Sequence, residues 1–387
     1  MVTAIFYRRL AMEYIYIVTA HTGYNYGTYL QAFAMKKLLG EFGDNIDIIW
    51  EKSFGPEGRD FRLKKIIILA LRMAVNYKQA GVIKQGYKKN LDAEPNDATK
   101  QMFNEFGRKY LNVKEYRMHE LKRLASSKQT KAVVCGSDQI WNASSMYPDP
   151  LYYLQFVPVK KRIAYAPSLG RTEIPNYNRQ RISRYIKSIR SVSVREEEGA
   201  RIIKGLIGRN VPVMPDPTLV VEWSEWMSNL KEKYLLLYFL DSPKEEVISD
   251  IKQIKKALGV NVKILLYHFK IYDELDDVEY VNAGPKEFVE LISKAMFVCT
   301  DSFHATVFSL LSKTKMYVYE RNYGQVDNQN SRIENLLNHY SLQERLRTKL
   351  QEPICLDYSM EHIESIRKED IECARNFIKK ALNGGRR

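Results

Sequence analysis

Acidic residues are in short supply. Against 60 Lys and Arg stand 46 Asp and Glu, a formal net charge of +14 at pH 7. A balance this basic points to anionic partners: a phosphorylated substrate, an acidic membrane surface or nucleic acid. Cysteine is equally sparse. The four present (Cys135, Cys299, Cys355, Cys373) show neither CxxC nor any other metal-ligand spacing, and two fall inside apolar strands. That pattern fits reduced, buried thiols of a cytosolic protein and excludes a disulfide framework. Long apolar runs are missing. Ile66–Leu71 is ended by Arg72, and MVTAIFYRRLAMEYIYIVTA is broken by Arg8, Arg9 and Glu13, so neither reads as a membrane span or an ordinary signal peptide. Residues before Met12 add nothing to the first strand pattern and read as an exposed extension or a misassigned start. There is no P-loop, no dinucleotide fingerprint, no nucleic-acid motif, no internal repeat and no low-complexity segment. The acidic run DELDD (Asp273–Asp277) reads as a solvated loop, and no metal is assigned.

What is present is a long alternation of apolar strands and helices. With 387 residues and 45% hydrophobic content, the length favours two domains. Strand Tyr14–Thr19, the loop His21–Gly27, helix Thr28–Phe42 and strand Ile46–Trp50 form a βαβ start typical of a parallel sheet. After the polar helical stretch Ala98–Tyr110 come strand Ala132–Cys135, strand Arg162–Ala166, helix Asn178–Ile189, strand Val192–Val194 and the acidic helix Glu196–Lys204. The prolines of VPVMPDPT and the polar Trp223–Lys233 mark a linker. A second series runs through strands Tyr234–Leu240, Val262–Tyr267, Val278–Val281, Met296–Thr300 and Met316–Tyr319, with helices Lys244–Leu258, Pro285–Ala295 and Ser331–His339. The expected boundaries are 13–222 for an N-terminal domain, 231–345 for a C-terminal domain and 346–387 for a helical tail. Within that tail, Glu361–Leu382 reads as an amphipathic helix able to cross back onto the first domain.

The basic insertion 59–90 differs in character from its surroundings. It carries many Lys and Arg against few acids, and FRLKKIIILALRMAV mixes apolar surface with basic residues. Such a segment can lie on an anionic membrane. The alternative is a helical insert that packs by its apolar side and leaves its lysines in solvent.

Chemistry concentrates in FVCTDSFHATVFSL, Phe297–Leu310. Here a short strand meets a polar turn and then a helix with His304 in its first turn. A helix that starts at the carboxyl end of a strand offers N–H groups and its positive dipole end, a ready site for an anion. A histidine placed there can exchange a proton with the bound group. The same reasoning applies to GSDQIWN, where a strand end delivers Asp138, Gln139, Trp141 and Asn142, and to Arg195, which can clamp a carboxylate or phosphate or else pair with the glutamates beside it.

An ordered series of motifs resembles the polysaccharide pyruvyl transferase family: NYGTYLQAFAM (Asn25–Met35), AVVCGSDQIWN (Ala132–Asn142), IAYAPSLG (Ile163–Gly170), SVREEEGARII (Ser193–Ile203), MPDPTLVV (Met214–Val221), TDSFHATVFSL (Thr300–Leu310) and SRIENLL (Ser331–Leu337). The resemblance covers about Ile15 to Leu337. It implies an enzyme that moves the enolpyruvyl group of phosphoenolpyruvate onto sugar hydroxyls, usually as a cyclic ketal. It also implies two Rossmann-like parallel-sheet domains facing a cleft, the GT-B arrangement, with the donor on the C-terminal side and the acceptor on the N-terminal side. Phosphoenolpyruvate is a co-substrate and no cofactor is expected. Ketal formation needs a general acid, a general base and fixed positive charge. His304 is assigned to proton transfer, Arg195 to the anion and Asp138 to the acceptor-side base. Thr300, Asp301, Ser302, Arg321 and Arg332 are expected to serve the donor, and Asn25, Tyr26, Gln139, Trp141 and Asn142 the acceptor, with Trp141 stacking on a pyranose face. The chain departs from the family in one place. Many members carry Arg two residues before this histidine, where Ser302 stands. Arg195, Arg321 and Arg332 are the candidate replacements.

The expected partners are phosphoenolpyruvate and a saccharide acceptor, with a lipid-linked acceptor and an anionic membrane surface as further candidates and nucleic acid excluded. The expected location is the cytoplasm, with peripheral attachment to the inner face of the membrane as an option raised by the basic insertion. Two rival functions remain: a GT-B glycosyltransferase with a nucleotide-sugar donor, and a non-enzymatic binder of anionic polymers.

Overall fold

Parallel strands buried on both faces need near-continuous apolar runs, and the chain supplies two sets. The computed structural model describes residues 13–54, 60–75, 95–143, 145, 147–171, 173–321, 331–348, 350 and 352–384. These fall into two compact units. The described residues of the first lie within 13–75, 107–221 and 369–384, and those of the second within 95–106 and 222–368.

The first unit holds a six-stranded sheet of β1 (Tyr14–Val18), β2 (Asn45–Glu51), β3 (Lys114–Tyr116), β4 (Thr130–Cys135), β5 (Arg162–Ala164) and β6 (Ser191–Val192). The spatial order is β3-β2-β1-β4-β5-β6, and every pairing is parallel. The second holds β7 (Glu232–Tyr238), β8 (Asn261–Leu265), β9 (Val278–Val281), β10 (Ala295–Thr300) and β11 (Lys315–Val318), in the order β11-β10-β7-β8-β9, again all parallel. The strand order of each sheet reverses once, at β1/β4 in the first and β7/β10 in the second. A crevice opens at the carboxyl ends of the strands at such a reversal. The expected doubly wound α/β class is therefore present twice.

The helices among the described residues are α1 (Tyr26–Gly40), α2 (Leu63–Val75), α3 (Asp97–Phe106), α4 (Met118–Ser126), α5 (Asn176–Lys187), α6 (Glu197–Ile207), the single turn α7 (Pro217–Val220), α8 (Glu245–Leu258), α9 (Pro285–Lys294), α10 (Phe303–Leu311), α11 (Ser331–His339) and α12 (Ile363–Leu382). α3 precedes β3 in sequence yet packs within the second unit, where Asn96 and Thr99 hydrogen-bond Asn282 and Phe106 meets Trp226 edge-on. α12 begins in the second unit, and its carboxyl half belongs to the first. There Arg375 pairs with Glu41 at 2.6 Å and Phe377 packs on Tyr165. No helix among the described residues is long and apolar enough to cross a membrane.

Two expectations need correction. Cys135 and Cys299 are buried, but Cys355 and Cys373 are exposed, because the latter two lie in the carboxyl-terminal tail rather than in apolar strands. α2 does not pack by its apolar side. Leu63, Ile66, Ile67 and Leu71 face solvent, whereas Lys65, Ile68, Leu69 and Arg72 are half-buried. Residues 1–11, Arg59 and the part of the basic insertion from 76 to 90 lie outside the described residues.

Backbone demand is sharpest where β4 ends. Gly136 has φ +126°, and a Cβ there would stand 1.8 Å from the carbonyl oxygen of Tyr165. Gly208, the C-cap of α6 at φ +71°, has open space around it. Gly136→Ala should therefore cost about 3 kcal/mol or more and Gly208→Ala only about 1 kcal/mol, as read from paired denaturant melts. Equal costs would mean that the β4 turn relaxes.

Candidate functional site

In the second unit the site is built around the end of β10. Thr300 Oγ1 donates to the carbonyl of Tyr238 on β7 and accepts the Ser302 N–H at 3.0 Å, which folds the chain sharply out of the sheet. Asp301 enters the crevice and accepts from the N–H groups of Leu240 (2.7 Å) and Asp241 (3.1 Å), joining the end of β10 to the loop after β7. Arg321 approaches the same carboxylate at 3.3 Å. Burial pushes the Asp301 carboxyl above its ordinary range, with Arg321 and the two amides opposing. Ser302 caps α10 by accepting from Ala305 N–H at 3.4 Å. His304 is then in the first turn, 7% exposed and edge-on to Phe303. Thr300, Asp301, Ser302, His304 and Arg321 thus meet at one strand end, while Arg332 lies in the first turn of α11. Ser302 suits its position for a reason the family pattern does not supply: a hydroxyl caps a helix and a guanidinium does not.

The first unit has its own cluster at the ends of β1, β4, β5 and β6. Gln31 on α1 spans the β1/β4 crevice. Its amide donates to Thr19 Oγ1, Ala20 O and Thr28 O, and its carbonyl accepts from the Ser137 N–H at 3.0 Å. Asp138, held at φ +61°, accepts from Thr28 Oγ1 at 3.1 Å and lies 3.9 Å from Arg195. Arg195 is buried. Its Nη1 donates to Asp216 at 2.8 Å and its Nε to Glu196 at 3.2 Å. Asp216 also accepts from Ser137 Oγ and from the N–H and hydroxyl of Thr218. Both readings of Arg195 thus meet in one residue: it stands at a strand end, and carboxylates fix its orientation.

Gln139 and Asn142 are partly exposed beside this cluster, and Asn25 caps α1 by accepting from Thr28 N–H. Two acceptor assignments fail. Trp141 is 1% exposed, stacks on Tyr153 at 5.1 Å and donates its indole N–H to Tyr152 O, so no ring face is available to a sugar. Tyr26 is fully buried in the first turn of α1. Sequence reasoning missed Gln31, Asp216 and His21. The signal for Asp216 was present, since Asp-Pro-Thr is an N-cap followed by proline at the first helical position, but the three prolines made it read as linker.

A family profile described as polysaccharide pyruvyl transferase matches residues 25–323. The chain belongs to that family. Among curated proteins, general stress protein 30 of Bacillus subtilis (strain 168) is 25% identical over 143 residues, 35% of this chain and 39% of the relative. The match thus spans well under half the length of that relative. Among solved structures, the chain is similar to a UDP-GlcNAc 2-epimerase from Neisseria meningitidis bound to UDP-GlcNAc, with 10% identity, 96% of this chain and 100% of that one covered, and a TM-score of 0.49. It is also similar to the glycosyltransferase SnogD from Streptomyces nogalater, with 11% identity, 95% and 99% covered, and a TM-score of 0.47.

Two predictions concern this family member's first-unit cluster. Arg195→Met leaves Asp216 and Glu196 buried without their cation and should cost about 3–5 kcal/mol. Arg195→Met with Asp216→Asn should cost less than the sum of the single changes, which a double-mutant cycle on denaturant melts reads directly. The second concerns His21, whose Nδ1–H donates to Thr19 O at 3.0 Å and whose ring meets Trp50 edge-on. Burial lowers its pKa, opposed by the Thr19 carbonyl and Asp60. A histidine with a lowered folded pKa is protonated first in the unfolded chain. Its contribution is therefore intact above about pH 6.5 and declines as pH falls from there toward the folded pKa. His21→Gln should flatten that part of the stability–pH curve, and an unchanged slope would remove His21 as its cause.

Proposed function

We propose that this protein transfers a pyruvyl group from phosphoenolpyruvate to a sugar hydroxyl, in the cytoplasm, during assembly of a surface or extracellular polysaccharide. Family membership supports the reaction class. The observation that carries the reading is the end of β10, where a capped helix places His304 in its first turn beside the Asp301–Arg321 pair.

The chemistry then follows from charge. Phosphoenolpyruvate is a multiply charged anion, and the amino end of α10 offers it a positive dipole. Arg321 and Arg332 supply the cationic side chains of the second unit, in place of the arginine that Ser302 replaces. His304 delivers a proton to the methylene carbon of the enol phosphate, which leaves positive charge on the adjacent carbon. A sugar hydroxyl attacks that carbon and gives up its proton, and Asp138 is assigned to accept it on the acceptor side. Phosphate leaves with the electrons of its C–O bond. A second hydroxyl closes the ketal and releases its own proton. Arg195 acts through orientation more than net charge, because Asp216 and Glu196 offset it; Gln139, Asn142 and Asn25 are assigned to hydroxyl recognition. No step calls for a metal or an organic cofactor.

His304→Ala should abolish turnover while the protein still folds, since the Ser302 cap and the turn at the end of β10 remain in place. Retained turnover would remove His304 from the mechanism. Binding is tested separately by thermal shift. At about a hundredfold excess over its Kd a ligand adds about 2.7 kcal/mol of stability. Phosphoenolpyruvate should raise the melting temperature and nucleotide sugars should not. The reverse result would favour a glycosyltransferase.

A further inference from the structure

α2 is an amphipathic helix mounted the wrong way round for a protein core. Its arc of Leu63, Ile66, Ile67, Ala70, Leu71 and Ala74 is exposed, while the opposite arc meets the fold. Large apolar side chains are exposed at nine of the described positions, and six of them (Phe54, Phe61, Leu63, Ile66, Ile67, Leu71) fall between residues 54 and 71. Leu63 and Leu71 are each 63% exposed, and Phe54 70%. The Phe54 N–H donates to Phe61 O, so the two aromatics flank the amino end of the helix together.

The mounting is firm. Arg62, 4% exposed and immediately before α2, pairs with Asp60, Glu51 and Asp149 and lies over the Trp50 ring at 4.9 Å. At the far end Arg72 donates to Asn178, which itself holds the carbonyls of Ala143 and Ser145. The arc of Lys65, Ile68, Leu69 and Arg72 is thus turned to the first unit, and the arc from Leu63 to Ala74 is turned outward by the same contacts.

Charge around this face has one dominant sign. Lys64 is exposed beside the apolar arc, and Lys52 is exposed two residues before Phe54. On the side turned to the fold, Arg181 and Arg171 lie near the half-buried Arg72 and add positive charge at the carboxyl end of the helix. Of the acids nearby, Asp60 is engaged by Arg62 and Lys65, and Glu51 and Asp149 by Arg62, while Glu115 stands beside Lys52. A contiguous apolar face rimmed by cations, on a helix about 20 Å long, suits the interface of an anionic bilayer, where apolar side chains enter the acyl boundary and lysines reach headgroups. It is too short to span the membrane.

We propose that the outward face of α2, with Phe54 and Phe61, is a docking surface for anionic phospholipid. The proposal does not depend on the donor or on His304. It places the enzyme at a membrane surface, where a lipid-linked saccharide would be within reach.

The test is co-sedimentation of the full chain with phosphatidylcholine vesicles, with and without a minority of phosphatidylglycerol. The wild-type protein should sediment with the anionic vesicles and release as salt shortens the Debye length. Ile67→Asp with Leu71→Asp should weaken binding by about tenfold or more, with an unchanged melting temperature because both side chains are exposed. Leu71→Trp supplies a second reading: its emission should shift to the blue only with anionic vesicles. Absence of sedimentation at low salt, or binding indifferent to the paired aspartates, would overturn the proposal. So would a dimer in sedimentation velocity that dissociates on Leu71→Asp, since the face would then be covered by a second copy.

Discussion

A parallel sheet whose strand order reverses leaves two neighbouring strands with their chains departing in opposite directions, and the crevice between them exposes backbone groups that nothing in the sheet can satisfy. Each unit of this protein fills that crevice with one polar side chain. In the second unit it is Asp301, which takes the amides of Leu240 and Asp241. In the first it is Gln31, whose amide and carbonyl together bridge Thr19, Ala20, Thr28 and Ser137. The chemical difference follows from what each must satisfy. Two N–H groups call for a pure acceptor, whereas carbonyls on one side and an N–H on the other call for an amide. The site residues are placed by these bridges: His304 begins the helix that leaves Asp301, and Asp138 follows the serine whose amide Gln31 holds.

Most of the architecture was legible because buried parallel strands are apolar runs and their helices are periodic. β9 and α11 coincide with their expected bounds, and β10 differs by one residue at its start. β3 was not legible, since Lys114–Tyr116 is a three-residue edge strand with no apolar run to mark it. Within the site, the residues themselves were readable and their partners were not. Trp141 in a polar motif looks available to a sugar until Tyr153, twelve residues on, is seen against its face. The pairing of Arg195 with Asp216 joins positions 21 residues apart through a proline-rich turn that has no periodic signature. Composition carries no record of such contacts, because each depends on where two separate loops come to rest.

The amphipathic character of α2 was visible in FRLKKIIILALRMAV, but amphipathicity fixes only that the two faces differ, not which one faces inward. The expectation for a globular protein is apolar side in. Here the direction is set by Arg62 and Arg72 at the two ends, each tied to a polar partner in the fold. Arg62 closes a network of three carboxylates, and rotating α2 to bury its leucines would pull that guanidinium out of it. Leaving one partner of a buried ion pair uncompensated costs about 3–5 kcal/mol, which offsets the burial of about two leucines at about 2 kcal/mol each. The ion-pair network thus opposes an inward turn of the apolar face.

The replacement of arginine by Ser302 is best understood through the same competition for backbone groups. A residue two positions before the histidine sits at the N-cap of α10, and there an oxygen acceptor satisfies an amide that arginine would leave to solvent or ligand. Ser302 does this for Ala305. The substitution therefore trades a mobile cation for a more rigid helix start, and fixes the direction of the dipole and of the His304 backbone. A guanidinium is still present nearby, because Arg321 reaches the adjacent Asp301 from the chain segment after β11. A guanidinium delivered from that segment enters beside the crevice rather than from the helix itself.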